Sequence, residues 1–255
     1  MSFTTSAENS NGTTTTTTTT SSTTTSTVGS GTTTTTTVTS TTTSTMDGGA
    51  GSLNLAVGWN LVGNGHETGF DVSGLFGDSS LVTSVWKWIA ASTKWAFYAP
   101  SLSVQTLTDY ALIKGYEVLS RIEPGEGFWV NSKLDYAVSM PAGTAVASSS
   151  FSATGSRPLG LGWSLIATGN TPTPTAFNNA LSVTSPAPAP LPLNVISIWA
   201  WDTVATKWYF WAPSLVNTKT LQSYTTSKDY LDFTTIPNLP MGTLSPYTGI
   251  WVNRP

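Results

Sequence analysis

The sequence predicts an all-β fold: two tandem small antiparallel β-domains, sandwich- or barrel-like, behind a Thr/Ser-rich low-complexity N-terminal segment. Three observations predict it. One Trp-rich unit is written twice: Ser84–Leu102 reads SVWKWIAASTKWAFYAPSL and Ser197–Leu215 reads SIWAWDTVATKWYFWAPSL, with eleven of nineteen positions identical and no gap. Apolar residues in the flanking segments alternate with polar or small ones, the period of a half-buried strand. Pro and Gly punctuate the chain where strands should stop. The expected boundaries are 1–52 for the Thr-rich stalk or strand-donating segment, 53–140 for the first β-domain, 141–158 for a linker and 159–255 for the second β-domain.

From Thr13 to Thr45 the chain is almost entirely threonine, broken by serines, two valines and Gly29-Ser30-Gly31. Such a tract has no apolar surface to bury against the entropy of ordering, so an isolated copy is expected to be disordered. It reads as a flexible spacer or as an O-glycosylated stalk, with Thr15, Thr18, Thr23, Thr34, Thr36 and Thr41 as candidate acceptors. Threonine is also β-branched and favours strands, so the tract is a candidate for strand addition to another copy, and hence for a filament. Asn11-Gly12-Thr13 forms an N-glycosylation sequon.

Past the Gly-rich joint Asp47–Ser52, Leu53, Leu55, Val57, Trp59 and Leu61 alternate with polar or small residues, and Leu159, Leu161, Trp163 and Leu165 repeat the pattern. Val85–Trp88 and Lys94–Tyr98 flank a short loop and predict a hairpin, with Trp86 and Trp88 sharing one face of the first strand and Trp95 and Phe97 one face of the second. Ala99-Pro100-Ser101 should stop the hairpin, because proline cannot donate to a ladder. Gly127–Asn131 is the last strand of the first copy and Gly249–Asn253 that of the second. Copy two adds a proline-rich loop at Pro186–Pro192 and a longer passage at Pro237–Pro246. Thr106-Leu107, Tyr110, Lys114 and Tyr116 recur as Thr220-Leu221, Tyr224, Lys228 and Tyr230. Helix is expected to be scarce, with one turn at Asn178–Leu181.

Composition narrows the function. Charged residues make up 9% of the chain, against about 25% in ordinary soluble domains. A net charge of −3 with no basic stripe argues against nucleic acid as a partner. No cysteine is present, which removes thiolate metal sites and thiol nucleophiles. No apolar run is long enough to span a membrane. MSFTTSAENSNG has no basic start followed by an apolar run, so no secretory signal is expected in it. Scarce charge, no cysteine, abundant Ser and Thr and dense aromatics together predict an extracellular or cell-surface setting.

The unit carries no evident catalytic group. His66, the single histidine, has no counterpart in copy two and reads as a surface loop residue. No carboxylate is kept in both copies where they align without gaps; Glu123 with Glu126 would be a one-copy pair. Lys94 and Lys207 are retained beside aromatics, where a snorkelling stem or a cation–π contact suffices. Neither metal nor other cofactor is expected.

Ten of the eleven tryptophans form pairs between the copies: Trp59 with Trp163, Trp86 with Trp199, Trp88 with Trp201, Trp95 with Trp208 and Trp129 with Trp251. These are expected to fill the two cores, with Trp86, Trp95, Trp129, Trp199, Trp208 and Trp251 largely buried. The alternative reading is a platform on which sugar rings stack, with Tyr98, Tyr209 and Trp211, which point away from Trp95 and Phe97 or their counterparts in a regular strand, as its candidates.

The motifs Gly58–Gly63 (GWNLVG), Val85–Trp88 (VWKW) and Gly125–Asn131 (GEGFWVN) resemble a tandem Trp-rich β-repeat of secreted and surface proteins from environmental bacteria. Copy two matches more loosely: Ala167 stands where copy one has Gly63, and Tyr247 where it has Gly125. The resemblance implies an exported, multi-domain surface context and carries no particular activity. The expected function is a non-enzymatic extracellular structural or adhesion protein, self-associating into a surface fibre or holding a surface polysaccharide. The alternative is a pair of carbohydrate-binding modules using exposed aromatics.

Overall fold

The structure, a computed structural model, describes residues 3–7, 15–19, 22–28, 32–38, 47–48, 51–170, 172–182, 190–235 and 245–255. It divides into two units, Met1–Thr45 and Met46–Pro255. In the first unit β1 (Phe3–Ala7) pairs antiparallel with β2 (Thr15–Thr19), and β3 (Ser22–Val28) with β4 (Thr32–Val38). The β-branched residues thus adopt strands that find partners inside their own unit, instead of the disorder expected of an isolated tract. Thr15 and Thr18 fall in β2, Thr23 in β3, and Thr34 and Thr36 in β4. Thr41 and the sequon at Asn11 lie outside the described residues, as do 186–189 and 237–244 of the two expected proline-rich passages.

In the second unit the fold is mainly β, as the sequence predicts. The predicted first strand is two. β5 (Asp47–Gly48) is followed by β6 (Ser52–Leu55), and the chain turns at Gly58 into β7 (Gly58–Gly63). Gly58 has φ +94°, and its counterpart Gly162 has φ +78°, a left-handed conformation that glycine alone adopts without penalty. Next come β8 (Phe70–Asp71), α1 (Val72–Phe76), β9 (Val82–Ile89), β10 (Lys94–Tyr98), α2 (Val104–Lys114), β11 (Glu117–Val118), β12 (Arg121–Ile122), β13 (Gly127–Ser132), β14 (Tyr136–Ser139) and β15 (Gly143–Thr144). Copy two supplies β16 (Gly162–Ile166), α3 (Pro174–Ala180), β17 (Ser197–Asp202), β18 (Lys207–Trp211), α4 (Pro213–Asn217), α5 (Leu221–Ser227), β19 (Leu231–Asp232) and β20 (Ile250–Arg254).

The duplication is visible in topology. The first sheet runs β11-β10-β9-β13-β7 and the second β19-β18-β17-β20-β16, element for element the same order. The sheets are not purely antiparallel: β11 pairs parallel with β10, and β19 parallel with β18. Parallel neighbours need a crossover, usually helical, and α2 and α5 provide it. Helix is therefore more abundant than expected. The Ser103 side chain caps α2 by accepting from the Thr106 N–H at 3.2 Å. Gly115 ends the helix at φ +73°.

Each sheet keeps its core on the face opposite the paired tryptophans. In copy one Val85, Ala96, Phe128 and Val130 meet Phe70, Phe76 and Ile122, with the three phenylalanine rings 5.7–6.3 Å apart in tilted or edge-to-face contact. In copy two Ile198, Tyr209, Trp211, Ile250 and Val252 meet Phe177, Phe233 and Phe151. Residues 141–158 are therefore more than a linker: Val146 and Phe151 are buried in the core of copy two, and β15 pairs with β5. The copies are not separate beads either. Met46–Pro255 is one compact unit.

Reciprocal contacts join the copies. Val62 bridges to Thr248, and their counterparts Ile166 and Glu126 bridge to each other. Gly63 N–H donates to the Tyr247 carbonyl and Ala167 N–H to the Gly125 carbonyl, both at 2.9 Å. A contact that repeats with its partners exchanged is the mark of an isologous, two-fold interface, here built within one chain. Gly63 and Ala167 meet on this pseudo-axis, and a Cβ added to Gly63 would lie 2.2 Å from the Ala167 Cβ. One methyl fits there and two do not, so Ala167 in copy two requires glycine at position 63 in copy one. Gly63→Ala is predicted to lower stability by about 1–3 kcal/mol through overpacking. Adding Ala167→Gly, which moves the single methyl across the axis, should restore most of the loss, as read from urea or thermal melts.

Candidate functional site

The tryptophans occupy the sheet face turned toward the other copy. In the first hairpin Trp95 lies opposite Trp88 and Phe97 opposite Trp86. In the second, Trp208 lies opposite Trp201 and Phe210 opposite Trp199. Trp129 and Trp251 extend the same faces through β13 and β20, which pair with β9 and β17 at Trp86 and Trp199. Within each copy the rings make matching contacts: Trp88–Trp95 at 5.4 Å and Trp201–Trp208 at 5.1 Å, Trp86–Trp95 at 6.3 Å and Trp199–Trp208 at 6.2 Å. Most are edge-to-face, the arrangement the ring quadrupole favours. At the outer end Trp86 and Phe97 pack with Tyr116, beneath Tyr110 of α2.

Across the copies the contacts are again reciprocal. Trp88 meets Trp251 at 6.2 Å and Trp201 meets Trp129 at 6.2 Å; Trp95 meets Trp251 at 5.9 Å and Trp208 meets Trp129 at 5.8 Å. The Trp88 indole N–H donates to the Trp163 carbonyl at 3.1 Å, and the Trp201 indole N–H to the Trp59 carbonyl at 3.0 Å. Two clefts remain between the faces. One, of about 340 Å³, is lined by Trp88, Trp95, Trp163, Trp199, Trp208 and Trp251. The other, of about 450 Å³, is lined by their six counterparts and Tyr116. Trp59 and Trp163, each 44% exposed, stand at the rims.

The expected platform is overturned, since Trp211 is 0% and Tyr209 5% exposed on the core face. Trp86, Trp95, Trp129, Trp199, Trp208 and Trp251 are each partly buried, on the opposite sheet face from the one expected. Tyr98 packs partly buried against the first core. None of Tyr98, Tyr209 and Trp211 forms an exposed stacking surface, because the strand face they share carries the core. The whole set of paired tryptophans, read as structural, forms the clefts instead.

The clefts are walled almost wholly by indoles, and polar groups lie just beyond them. Trp88 also borders a groove with Glu123, Glu126, Arg157 and Ser164, and Trp201 one with Asn54, Asn60, Thr203 and Ser245. Glu123 and Glu126 are engaged rather than poised for acid–base work. Lys87 pairs with Glu126 at 2.8 Å, Arg121 with Glu123 at 2.9 Å, and Glu126 accepts the Glu123 N–H at 2.7 Å. His66 is buried, 5% exposed, with Nδ1 3.0 Å from the Pro141 carbonyl oxygen and its ring edge-on to Tyr247. It is not the surface residue expected, because residues 141–145 fold over its loop. The cation–π contact is made by Lys114 over Tyr110 at 5.9 Å. No group of three or more His, Asp or Glu among the described residues is placed to hold a metal ion, and no helix among them is long and apolar enough to cross a membrane.

No protein-family model, curated protein or solved structure matches the chain.

Beneath the second Trp face, Tyr209 donates from its hydroxyl to Asp202 Oδ2 at 3.1 Å. Burial, then this hydrogen bond and the charge of Asp202, push its phenol from about 10 up to about 12. A folded value above the unfolded one means that stability is fully present below pH 10 and is lost as pH rises through 12. Urea melts between pH 9 and 12 should show that loss, with a shallower slope in Tyr209→Phe. A slope unchanged by the substitution would contradict the assignment.

Proposed function

We propose that this chain is a non-catalytic extracellular or cell-surface adhesion protein that holds a polysaccharide in its Trp-lined clefts. The observation that carries the reading is the pairing of indole walls with adjoining hydrogen-bonding grooves beyond Trp88 and Trp201. A pyranose with equatorial hydroxyls has flat C–H faces that stack on indoles, and a rim of hydroxyls that needs polar partners. Sites with apolar walls and a few placed polar groups are the common form of small-ligand pockets. The clefts also fall within the usual pocket size of about 300–1,000 Å³. A β-linked, all-equatorial glycan such as cellulose presents such faces on both sides, which suits walls contributed by two sheets.

β1–β4 pair within their own unit as two-stranded sheets, and a two-stranded sheet leaves one edge of each strand for addition to another copy, the route to a surface fibre. The Thr-rich segment remains a candidate O-glycosylated stalk for an exported protein, a role its composition supports.

Sedimentation with insoluble cellulose and chitin tests the reading. The full chain should co-sediment, and a Trp59→Ala/Trp163→Ala double variant should bind about tenfold more weakly, the factor that 1.4 kcal/mol of lost stacking represents. Val204→Ala, in an exposed hairpin loop, should bind as the parent does. Failure to bind either polysaccharide, or equal binding by the double variant, would overturn it.

A further inference from the structure

The two clefts have the same walls. Exchanging each tryptophan of the first for its counterpart converts Trp88, Trp95, Trp163, Trp199, Trp208 and Trp251 into Trp201, Trp208, Trp59, Trp86, Trp95 and Trp129, all of which line the second. Trp95 and Trp208 belong to both sets. They lie between the clefts, one from each sheet, and each is exchanged for the other by the pseudo-axis. The rims, by contrast, are private: Trp163 serves only the first cleft and Trp59 only the second.

We infer that the clefts are two equivalent subsites of one groove, and that a single glycan strand crosses the pseudo-axis by occupying both, with Trp95 and Trp208 as the shared wall. This rests on the polysaccharide reading above. A strand that crosses a two-fold axis runs through the two subsites in opposite senses, and the flat C–H faces of its sugars can stack on the indoles in either sense. A short fragment fills one subsite, so two bind per chain. A longer strand fills both, so one binds, and the second engagement is intramolecular with a high effective concentration.

The flanking grooves set the polar contacts of each end. Beyond Trp88 lie Glu126 and Arg157, held in place by Lys87 and Glu67, and beyond Trp201 lies the exposed Asn54. The stacking halves are thus equivalent while the ends differ. The main-chain carbonyls of Trp59 and Trp163, not their side chains, accept the cross-copy indole hydrogen bonds. Truncating either rim indole therefore leaves that link intact.

Titration calorimetry of the full chain with cellobiose and with cellohexaose tests the inference. Cellobiose should bind at two per chain and cellohexaose at one, tighter by about a hundredfold as expected for linked sites. Trp59→Ala and Trp163→Ala should each reduce the cellobiose stoichiometry from two to one and each weaken cellohexaose. Trp95→Phe should weaken cellobiose at both subsites, with circular dichroism confirming that each variant is folded. One cellobiose per chain, or sensitivity to only one of the two rim variants, would overturn the two-subsite groove while leaving polysaccharide binding in place. No heat with either saccharide, together with no sedimentation on cellulose or chitin, would overturn both.

Discussion

Two indole hydrogen bonds, Trp88 to the Trp163 carbonyl and Trp201 to the Trp59 carbonyl, define how the repeats meet, and the rest of the unit follows from that meeting. An indole is large and carries one N–H that needs a partner when it is removed from water. In each copy Phe, Val and Ile fill the opposite sheet face, and of the paired tryptophans only Trp86 and Trp199 pack against buried clusters of their own copy. Each copy is left with an aromatic face too extensive to stand alone in water, and the other copy covers it. The Trp88 and Trp201 N–H groups then reach main-chain carbonyls of the facing repeat, while those of Trp86 and Trp199 donate to Ser84 and Ser197 of their own.

Reciprocity explains features that otherwise look unrelated. Edge-to-face pairs contribute about 0.5–1.5 kcal/mol each beyond their buried area, and the interface makes the Trp95–Trp251 pair a second time as Trp208–Trp129. The glycine that copy two lacks is the position where the repeats touch themselves, at Gly63 and Ala167. Away from the axis the copies are free to diverge. Copy two places Tyr209 and Trp211 where copy one has Ala96 and Tyr98, and sets Ile250 in place of Phe128, so bulk lost from one strand is regained on another. Trp95 and Trp208 have no such freedom, since a change at either alters both clefts.

Much of this was legible in the sequence, and the parts that were not have a common cause. The duplication, the hairpins and the β character follow from spacing and alternation, which are local. Alternation along Lys94–Tyr98 also reveals two faces, but both are aromatic or apolar, and nothing local says which one meets the core. That is decided by Phe70, Phe76 and Ile122, which are distant in sequence. Helix α2 has a weak sequence signature because Val104, Leu112 and Ile113 are exposed while only Leu107 and Ala111 are buried, so its apolar residues form no clean stripe. Ser103 as N-cap and Gly115 past Lys114 were the usable signals. In residues 141–158, Val146 and Phe151 among Ser, Ala and Gly marked a segment with something to bury. The clefts themselves depend on two sheets facing one another, which no pattern within one copy encodes.

The most direct test of the central claim is a nuclear Overhauser map of the indole rings in the full chain, assigned with single Trp→Phe variants. The account predicts cross-copy contacts in matched sets: Trp88 with Trp251 and Trp201 with Trp129, and Trp95 with Trp251 and Trp208 with Trp129. The Nε1 protons of Trp88 and Trp201 should also be protected from exchange. Contacts confined to each copy, such as Trp86 with Trp95 and Trp199 with Trp208, with none between the repeats, would contradict it.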